Sequence, residues 1–598
     1  MPTSPLANAA DVLSIDVLIE GQKIKDDHIL VSIEVERNIN RIATAKITFA
    51  LPVGDGDDTT FALSEGGDYL PGKKIDIKVG SVSKKDSVFK GIVVHQGIRN
   101  LGGQVNELVV RCSDEAVKLS LGRKSAYYQK MKDSAIISAV VGDYGLSAQV
   151  DTTSDEHQQM VKYQSNDWDF IVSRAEANGL LTYTEDGIVK AKKPTASGSA
   201  DLIVDFGKDV LSYELGMESR FQTPSVTCQG WDLKNQALAE GKSSEPTLNK
   251  QGNFNGKQMA SKLGFAAATV ASTAPLEKPE LKTWADAQLL KSRMTAMQGT
   301  ITFLGNALPK LNTLIALSGF GDRFNKDGLI TSVRHSVRAG FWQTTVGLGL
   351  PPEWYYEQRS VSAPPAGGLL PAIPGLQNGT VKKIDADPNG QYRIQVDVPV
   401  IAPSGAGIWA RMAHFYATTG KGSFFLPEVG DEVILGFLNE DPRFPIILGM
   451  LYSSKIKAPY TPDDKNKIKA IVTKNDLKIE FNDEDKVLTI QTPGGNQFVL
   501  SDKDKSILLK DQNGNKMEMN SAGITLESPK DVVIKATGKI NLEATQGIAA
   551  KASGGDVSIE GLNVQAKAQV AFSAQGSASA ELKASGMTTV KGSMVMIN

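Results

Sequence analysis

The stretch "DVVIKATGKINLEATQGIAAKASGGDVSIEGLNVQAKAQVAFSAQGSASAELKASGMTTVKGSMVMIN", Asp531–Asn598, decides how this 598-residue chain folds. It holds no proline and one aromatic residue, Phe572. Apolar residues alternate with polar ones in short runs: Ile540, Leu542, Ala544; Ile548, Ala550, Ala552; Val557, Ile559; Val570, Phe572, Ala574. Glycines at 538, 547, 554, 561, 576, 586 and 592 divide the runs. Each run reads as a strand of about five residues and each glycine as a sharp turn. One such chain buries too little surface to offset its ordering, which costs about 1–2 kcal/mol per residue for the backbone, and it leaves long unpaired edges. Three arrangements compete. A disordered tail conflicts with the alternation and the lack of proline. A single-chain β-solenoid usually needs larger core residues and a polar cap. Several copies wound about one axis satisfy every backbone group, leave no edge and fill a narrow interior with small side chains; threefold symmetry is the simplest closed form. Six Lys and five Asp/Glu, sparse and mixed, fit one outward face. The ending Met594, Val595, Met596, Ile597, Asn598 then gathers apolar strand ends at a blunt tip, which implies a separate capping protein.

The rest of the chain sets bounds on function. Its length corresponds to three or four domains at about 150 residues each. A net charge of -2 makes no electrostatic case for nucleic acid or an anionic membrane. Cys112 and Cys228 form neither a disulfide framework nor a metal cluster, which suits a reducing compartment. The start, "MPTSPLANAADVLSIDVLIEG", lacks a basic region followed by an apolar one, so no secretory signal is expected. No run approaches the ~20 apolar residues that span a bilayer. The expectation is a protein made in the cytoplasm and delivered elsewhere by dedicated machinery.

Strand patterns dominate the first third. "LSIDVLIEG" puts Leu13, Ile15, Val17 and Ile19 on one face, and "ILVSIEVER" does the same with Ile29, Val31, Ile33 and Val35. Such alternation predicts antiparallel barrels or sandwiches. Three helices are predicted: "DSAIISAVVGDYG" with Asp133 as N-cap; "NDWDFIVSRAEANG" capped by Asn166 or Asp167, with Trp168, Ile171, Val172 and Ala175 inward and Gly179 as stop; and "TWADAQLLKSRMTAMQG", with a stripe of Trp284, Ala287, Leu290, Met294 and Met297 ending at Gly299. "QRSVSAPPAGGLLPAIPG" and "KIKAPYTPDDKNK" read as linkers.

No catalytic constellation assembles from these residues. His28, His95, His157, His335 and His414 have no partners at metal-ligand spacing and read as surface or satisfied structural residues. There is no G-x-S-x-G elbow. "GKS" at Gly241–Ser243 lacks the earlier glycine of a phosphate loop, since Gln236 stands there. "DADPNG" at Asp385–Gly390 opens like a calcium loop, but the closing carboxylate position is Val396, so a hairpin turn is the better reading. Glu428, Asp431 and Glu432 carry no glycosidase signal by themselves.

Several motifs in order resemble one family. "GSFFLPEVGDEVILGFLNEDPRFPIILGMLY" (Gly422–Tyr452) is similar to an oligonucleotide/oligosaccharide-binding-type (OB) barrel, and "VKKIDADPNGQYRIQVDVP" to its first hairpin. "TPGGNQFVLSDKDKSILLKDQNGNKMEM" and "KDVVIKATGKI" resemble the base of a triple-stranded β-helix, while "YQSNDWDFIVSRAEANGLLTY" and "VFKGIVV" resemble a hub. Together they resemble the VgrG-type trimeric spikes of type VI secretion and phage tail-like contractile injection systems. The resemblance implies a mainly β protein: a hub of β-barrels with helical inserts over 1–360, a linker 361–375, an OB-fold barrel over 376–454, a linker 455–470, and an intertwined triple-stranded β-helix over 471–598. It further implies a non-catalytic, membrane-puncturing spike at the tip of the machine, with no cofactor, catalytic residue or resident metal. The implied partners are two further copies of the chain, a PAAR-type tip protein at Met594–Asn598, inner-tube and baseplate proteins at the hub, and effector cargo held elsewhere on the particle; nucleic acid is not among them. The chain would be assembled into the particle and then released or delivered into the target. A receptor-binding or glycan-degrading spike is the rival reading. The residues leave open whether the machine is membrane-anchored or released, and whether an ion sits on the needle axis.

Overall fold

The computed structural model describes residues 2–8, 12–25, 27–51, 61–100, 102, 106–402 and 405–597. The chain is mainly β and divides into two compact units, Met1–Leu451 and Tyr452–Asn598.

In the first unit the period-two pattern becomes a large sheet whose strands bury alternate side chains. Leu13–Ile19 sends Val17 and Ile19 into a core. Leu30–Asn38 does the same with Ile33 and Val35, but Ile29 precedes the strand and is exposed. Pairing with Thr44–Leu51 slips between Leu30 and Ser32, which ends the alternation one residue early. Two buried clusters share this sheet: Ile33, Ile47, Phe49, Ile77 and Leu108 in one, Ile301, Phe303, Ile315, Ile330 and Val346 in the other. Lys326–Arg338 pairs with Leu30–Asn38 on one side and Phe341–Leu348 on the other, so one ladder of hydrogen bonds joins the halves.

Helices α1 (Asp133–Gly142) and α2 (Asp167–Ala177) cover a third cluster. On α2, Asn166 is the cap, its side chain accepting from the Asp169 amide at 2.7 Å, and Trp168, Ile171, Val172 and Ala175 are buried. On α1 the expected cap is wrong. Lys132 occupies that position and Asp133 lies inside the first turn, where Arg174 donates to it at 2.7 and 2.8 Å and Asn178 at 2.9 Å. Nε2 of His157 lies 2.9 Å from the same carboxylate. Helix α3 (Lys278–Met294) starts earlier than expected, with Pro279 in its first turn, and it stops sooner. Met297 and Gly299 belong instead to the strand Met297–Leu304. Gly299 is needed because a Cβ there would strike the backbone of Glu214 on the neighbouring strand. No single stripe forms on α3 because it is buried on more than one side: Leu281, Ala285 and Leu289 pack on Val226 and Cys228, while Lys291 and Arg293 are buried against Glu176 and Glu245 at 2.8 and 2.7 Å.

The buried group around Asp133 makes a stability prediction. Burial alone pushes this carboxyl up, but the Arg174 guanidinium, with His157 and Asn178, holds it below its ordinary value. A depressed folded-state pKa contributes stability that is present above the unfolded value and is lost as pH falls below it. Arg174→Ala is expected to cost about 3–5 kcal/mol at neutral pH, because it strands a buried charge. The gap between native and variant melting temperatures should narrow on acidification below about pH 4. A gap unchanged by acid would show that the loss is one of packing alone.

The remainder of the first unit is a closed five-stranded barrel: β1 (Gln377–Lys383), β2 (Ile394–Asp397), β3 (Ile408–Met412), β4 (Glu432–Phe437) and β5 (Pro445–Met450), in the order β1-β2-β3-β5-β4. Val381, Ile394, Val396, Ala410, Val433, Leu435 and Ile447 fill it.

The second unit opens with an antiparallel meander in sequence order: β6 (Ile468–Val472), β7 (Lys478–Asn482), β8 (Val487–Gln491), β9 (Gln497–Ser501), β10 (Ser506–Lys510), β11 (Lys516–Asn520) and β12 (Gly523–Glu527). Beyond it, residues 531–597 are exposed, form no regular element apart from periodic bends, and pair with no strand among the described residues.

Candidate trimerisation face and needle tip

Five-residue strands joined by tight turns keep the meander in register, and register aligns side chains. One row of cross-strand partners runs Ile471, Ile479, Ile490, Phe498, Leu509, Met517, Leu526. A second runs Phe481, Leu488, Leu500, Ile507, Met519, Ile524. One face of the sheet is therefore apolar from β6 to β12. The other face is mixed: Lys478, Glu480, Thr489, Lys510, Glu518 and Thr525 share it with Val487, Val499 and Leu508, and Glu480 is paired to Lys478 at 3.1 Å. Among the described residues of this unit, no buried cluster forms on the apolar face. All the buried hydrophobic residues described lie at or before Ile447, and Ile479, Phe481, Ile490, Leu509 and Leu526 are exposed. A sheet with one uncovered apolar face lacks the burial that offsets its ordering.

The exposed segment has a stricter rhythm than its glycines suggested. Bends fall at 529–530, 537–538, 545–546, 553–555, 562, 569–570, 577–578, 585–586 and 593–594, a spacing of eight residues. Counting the six residues between successive bends, the second and fourth positions hold Val532 and Ile534, Ile540 and Leu542, Ile548 and Ala550, Val557 and Ile559, Val564 and Ala566, Phe572 and Ala574, Ala580 and Leu582, and Thr588 and Val590. The fifth holds Lys535, Glu543, Lys551, Lys567 and Gln575. The spacing slips once: Val557 and Ile559 come nine residues, not eight, after Ile548 and Ala550. The bend before them is one residue longer, through Gly554 and Gly555, and the bend after them is the single residue Leu562. The slip returns Val557 and Ile559 to the apolar face, since a one-residue offset flips a strand's side chains.

At the end of the segment Met594, Val595, Met596 and Ile597 are exposed, Ile597 at 92%. Asn598 lies outside the described residues. By the octad count Met594 closes a bend and Met596 falls on the apolar side.

The near-miss motifs are structural. Gly241 lies on the strand Ala237–Lys242, where a Cβ would collide with the Leu281 backbone, so this glycine serves helix packing. Asp387 accepts from the amides of Asn389, Gln391 and Arg393, and the Arg393 side chain donates to it at 2.6 Å, as befits a turn between β1 and β2. His335 is buried 3.1 Å from Thr344 Oγ1, and burial, with the charge of Arg37, pushes it down to about 3. Among the described residues no group of three or more His, Cys, Asp or Glu is placed to hold a metal ion. No described helix is long and apolar enough to cross a membrane.

Residues 9–339, more than half of the chain, match the family model of the Alg8 N-terminal domain. The chain belongs to this family. Behind that match, residues 377–452 match the type VI secretion system/phage-baseplate injector OB domain, and 487–598 the phage baseplate V C-terminal trimerisation domain. The VgrG-type resemblance seen in the sequence is borne out by these models and by relatives. The chain is 28% identical over 160 residues to the type VI secretion spike VgrG1a of Pseudomonas aeruginosa, covering 25% of each chain. It is 48% identical over 60 residues to VgrG3 of Vibrio cholerae, covering 10% of this chain and 6% of the relative. It thus spans a quarter or less of the length of these curated relatives. Among solved structures, the prophage MuSo2 43 kDa tail protein of Shewanella oneidensis aligns with 57% of this chain and 98% of its own at 13% identity and a TM-score of 0.44.

The rows across the meander escaped the sequence reading. Their signal was present: "KIEFN", "VLTIQ", "QFVLS", "SILLK" and "KMEMN" each place two apolar residues two apart, with turns of similar length between them.

Proposed function

We propose that three copies of this chain form a non-catalytic spike for a contractile injection machine. The uncovered apolar face of β6–β12 carries this reading. Three such faces turned toward a common axis bury each other, and the octads beyond continue the prism with strands shared between copies. Each shared hydrogen bond contributes only about 0.5–1.5 kcal/mol net, but it recurs along the whole rod, and that repetition supplies stiffness. The hub would join the inner tube and baseplate, and sheath contraction would drive the needle through the target envelope. Assembly would take place inside the producing cell before delivery.

At the blunt end, the exposed Met594–Ile597 with Asn598 would seat a PAAR-type tip protein, whose apolar base would cover three copies of the same ending. Deleting Met594–Asn598 is expected to leave a three-copy mass and to abolish retention of the tip protein in a pull-down. Full retention by the deletion variant would place the tip contact elsewhere. Cargo would ride on the particle, and the chain's own role is mechanical.

A further inference from the structure

The barrel carries two exposed apolar features among its described residues. One is the hairpin formed by Ala417–Thr418 and Lys421–Gly422, between β3 and β4. Phe415, Tyr416, Phe424 and Phe425 flank it, all exposed, Phe415 at 100%. The Ser423 amide donates to Tyr416 O at 2.8 Å, and Gly422, at φ 145°, passes so close to Tyr416 O that a Cβ would not fit. The aromatic rings are thus displayed on a braced arm rather than a loose loop. The second feature is the outer face of β4 and β5, a position ordinarily polar on a small barrel. Leu376 and Leu448 are exposed there and lie over Gly436, where a Cβ would meet them at 3.8 and 3.4 Å. Beside them Gly449 opens onto free space. The result is an apolar floor, two leucines laid over Gly436 with the bare Gly449 beside them, on which a flat ring can lie.

We infer that the aromatic hairpin of one copy docks on the Leu376–Leu448 floor of the next copy. This inference rests on the three-copy reading above. The occupant follows from connectivity. Residues 451–467 alone link the barrel to the needle, a reach of at most about 60 Å, so a three-copy needle holds two other barrels at an effective concentration of order millimolar. Knob and floor are different surfaces, so the contact is heterologous, and three heterologous contacts close a ring.

The test is disulfide formation in the full chain carrying both Phe424→Cys and Leu448→Cys, with Phe415→Cys/Leu376→Cys as a second pair; the native Cys112 and Cys228 are buried. Oxidation should yield a ladder ending at three linked chains on a denaturing gel for at least one pair, while each single variant stays at one chain. Solution mass is read on every variant. A three-copy mass with neither pair cross-linking overturns the docking while leaving the spike reading intact. Linkage by single variants as strong as by the pairs also overturns it, because like surfaces would then be meeting. A one-copy mass for the native chain removes both.

Discussion

Leu509→Glu is expected to reduce the proposed assembly to single chains, each measuring 64.0 kDa, where the native chain should measure three times that. Leu509 stands mid-row, between Phe498 on β9 and Met517 on β11. In one chain the site is exposed, so a carboxylate there disturbs nothing. In the assembly three carboxylates would face one another in a closed apolar space. Each costs several kcal/mol of desolvation even after relaxation, with no counter-charge to offset it. The control is Gln497→Glu, one position along from Phe498 on the other face and opposite Lys510; its effect should stay within about 0.5 kcal/mol. Multi-angle scattering of both variants decides the matter. A Leu509→Glu chain that keeps its three-copy mass would sink the proposal that this face is the interface.

The second large effect lies in the octads. Leu542→Glu places a charge at the fourth, inward position, whereas Glu543→Gln alters the neighbouring outward one. The inward change should open the prism around 531–598 and raise its rate of limited proteolysis more than a hundredfold, on the basis of a loss of roughly 3 kcal/mol or more in a regime where cleavage follows the open population. The outward change should leave the digestion pattern intact. Equal sensitivity of the two variants would contradict the inside-outside assignment.

Much of the architecture was legible because it is written in local alternation. The strand Leu13–Ile19, the cap Asn166 and the turn at Asp387 each depend on residues a few positions apart. What was missed depends on distant residues. Asp133 reads as a cap until Arg174 and His157 are brought to it, and Gly299 reads as a helix stop until Glu214 lies against it. The needle's binding face stayed hidden for another reason. The alternate apolar residues of each strand are unremarkable alone, and only turn length tells whether neighbouring pairs align. The slip at Gly554–Gly555 blurred the eight-residue beat, because glycine spacing is an imperfect marker of a bend that Thr537 and Ser585 also occupy.

That beat has a consequence for how such a rod can change in size. Because the inward set repeats every eight positions, whole octads could be added or removed without turning any surviving side chain outward. A single inserted residue inverts everything downstream unless a second alteration restores phase, as Leu562 does after the double glycine. In the proposed spike, length is therefore a counted quantity, adjustable in steps of one octad.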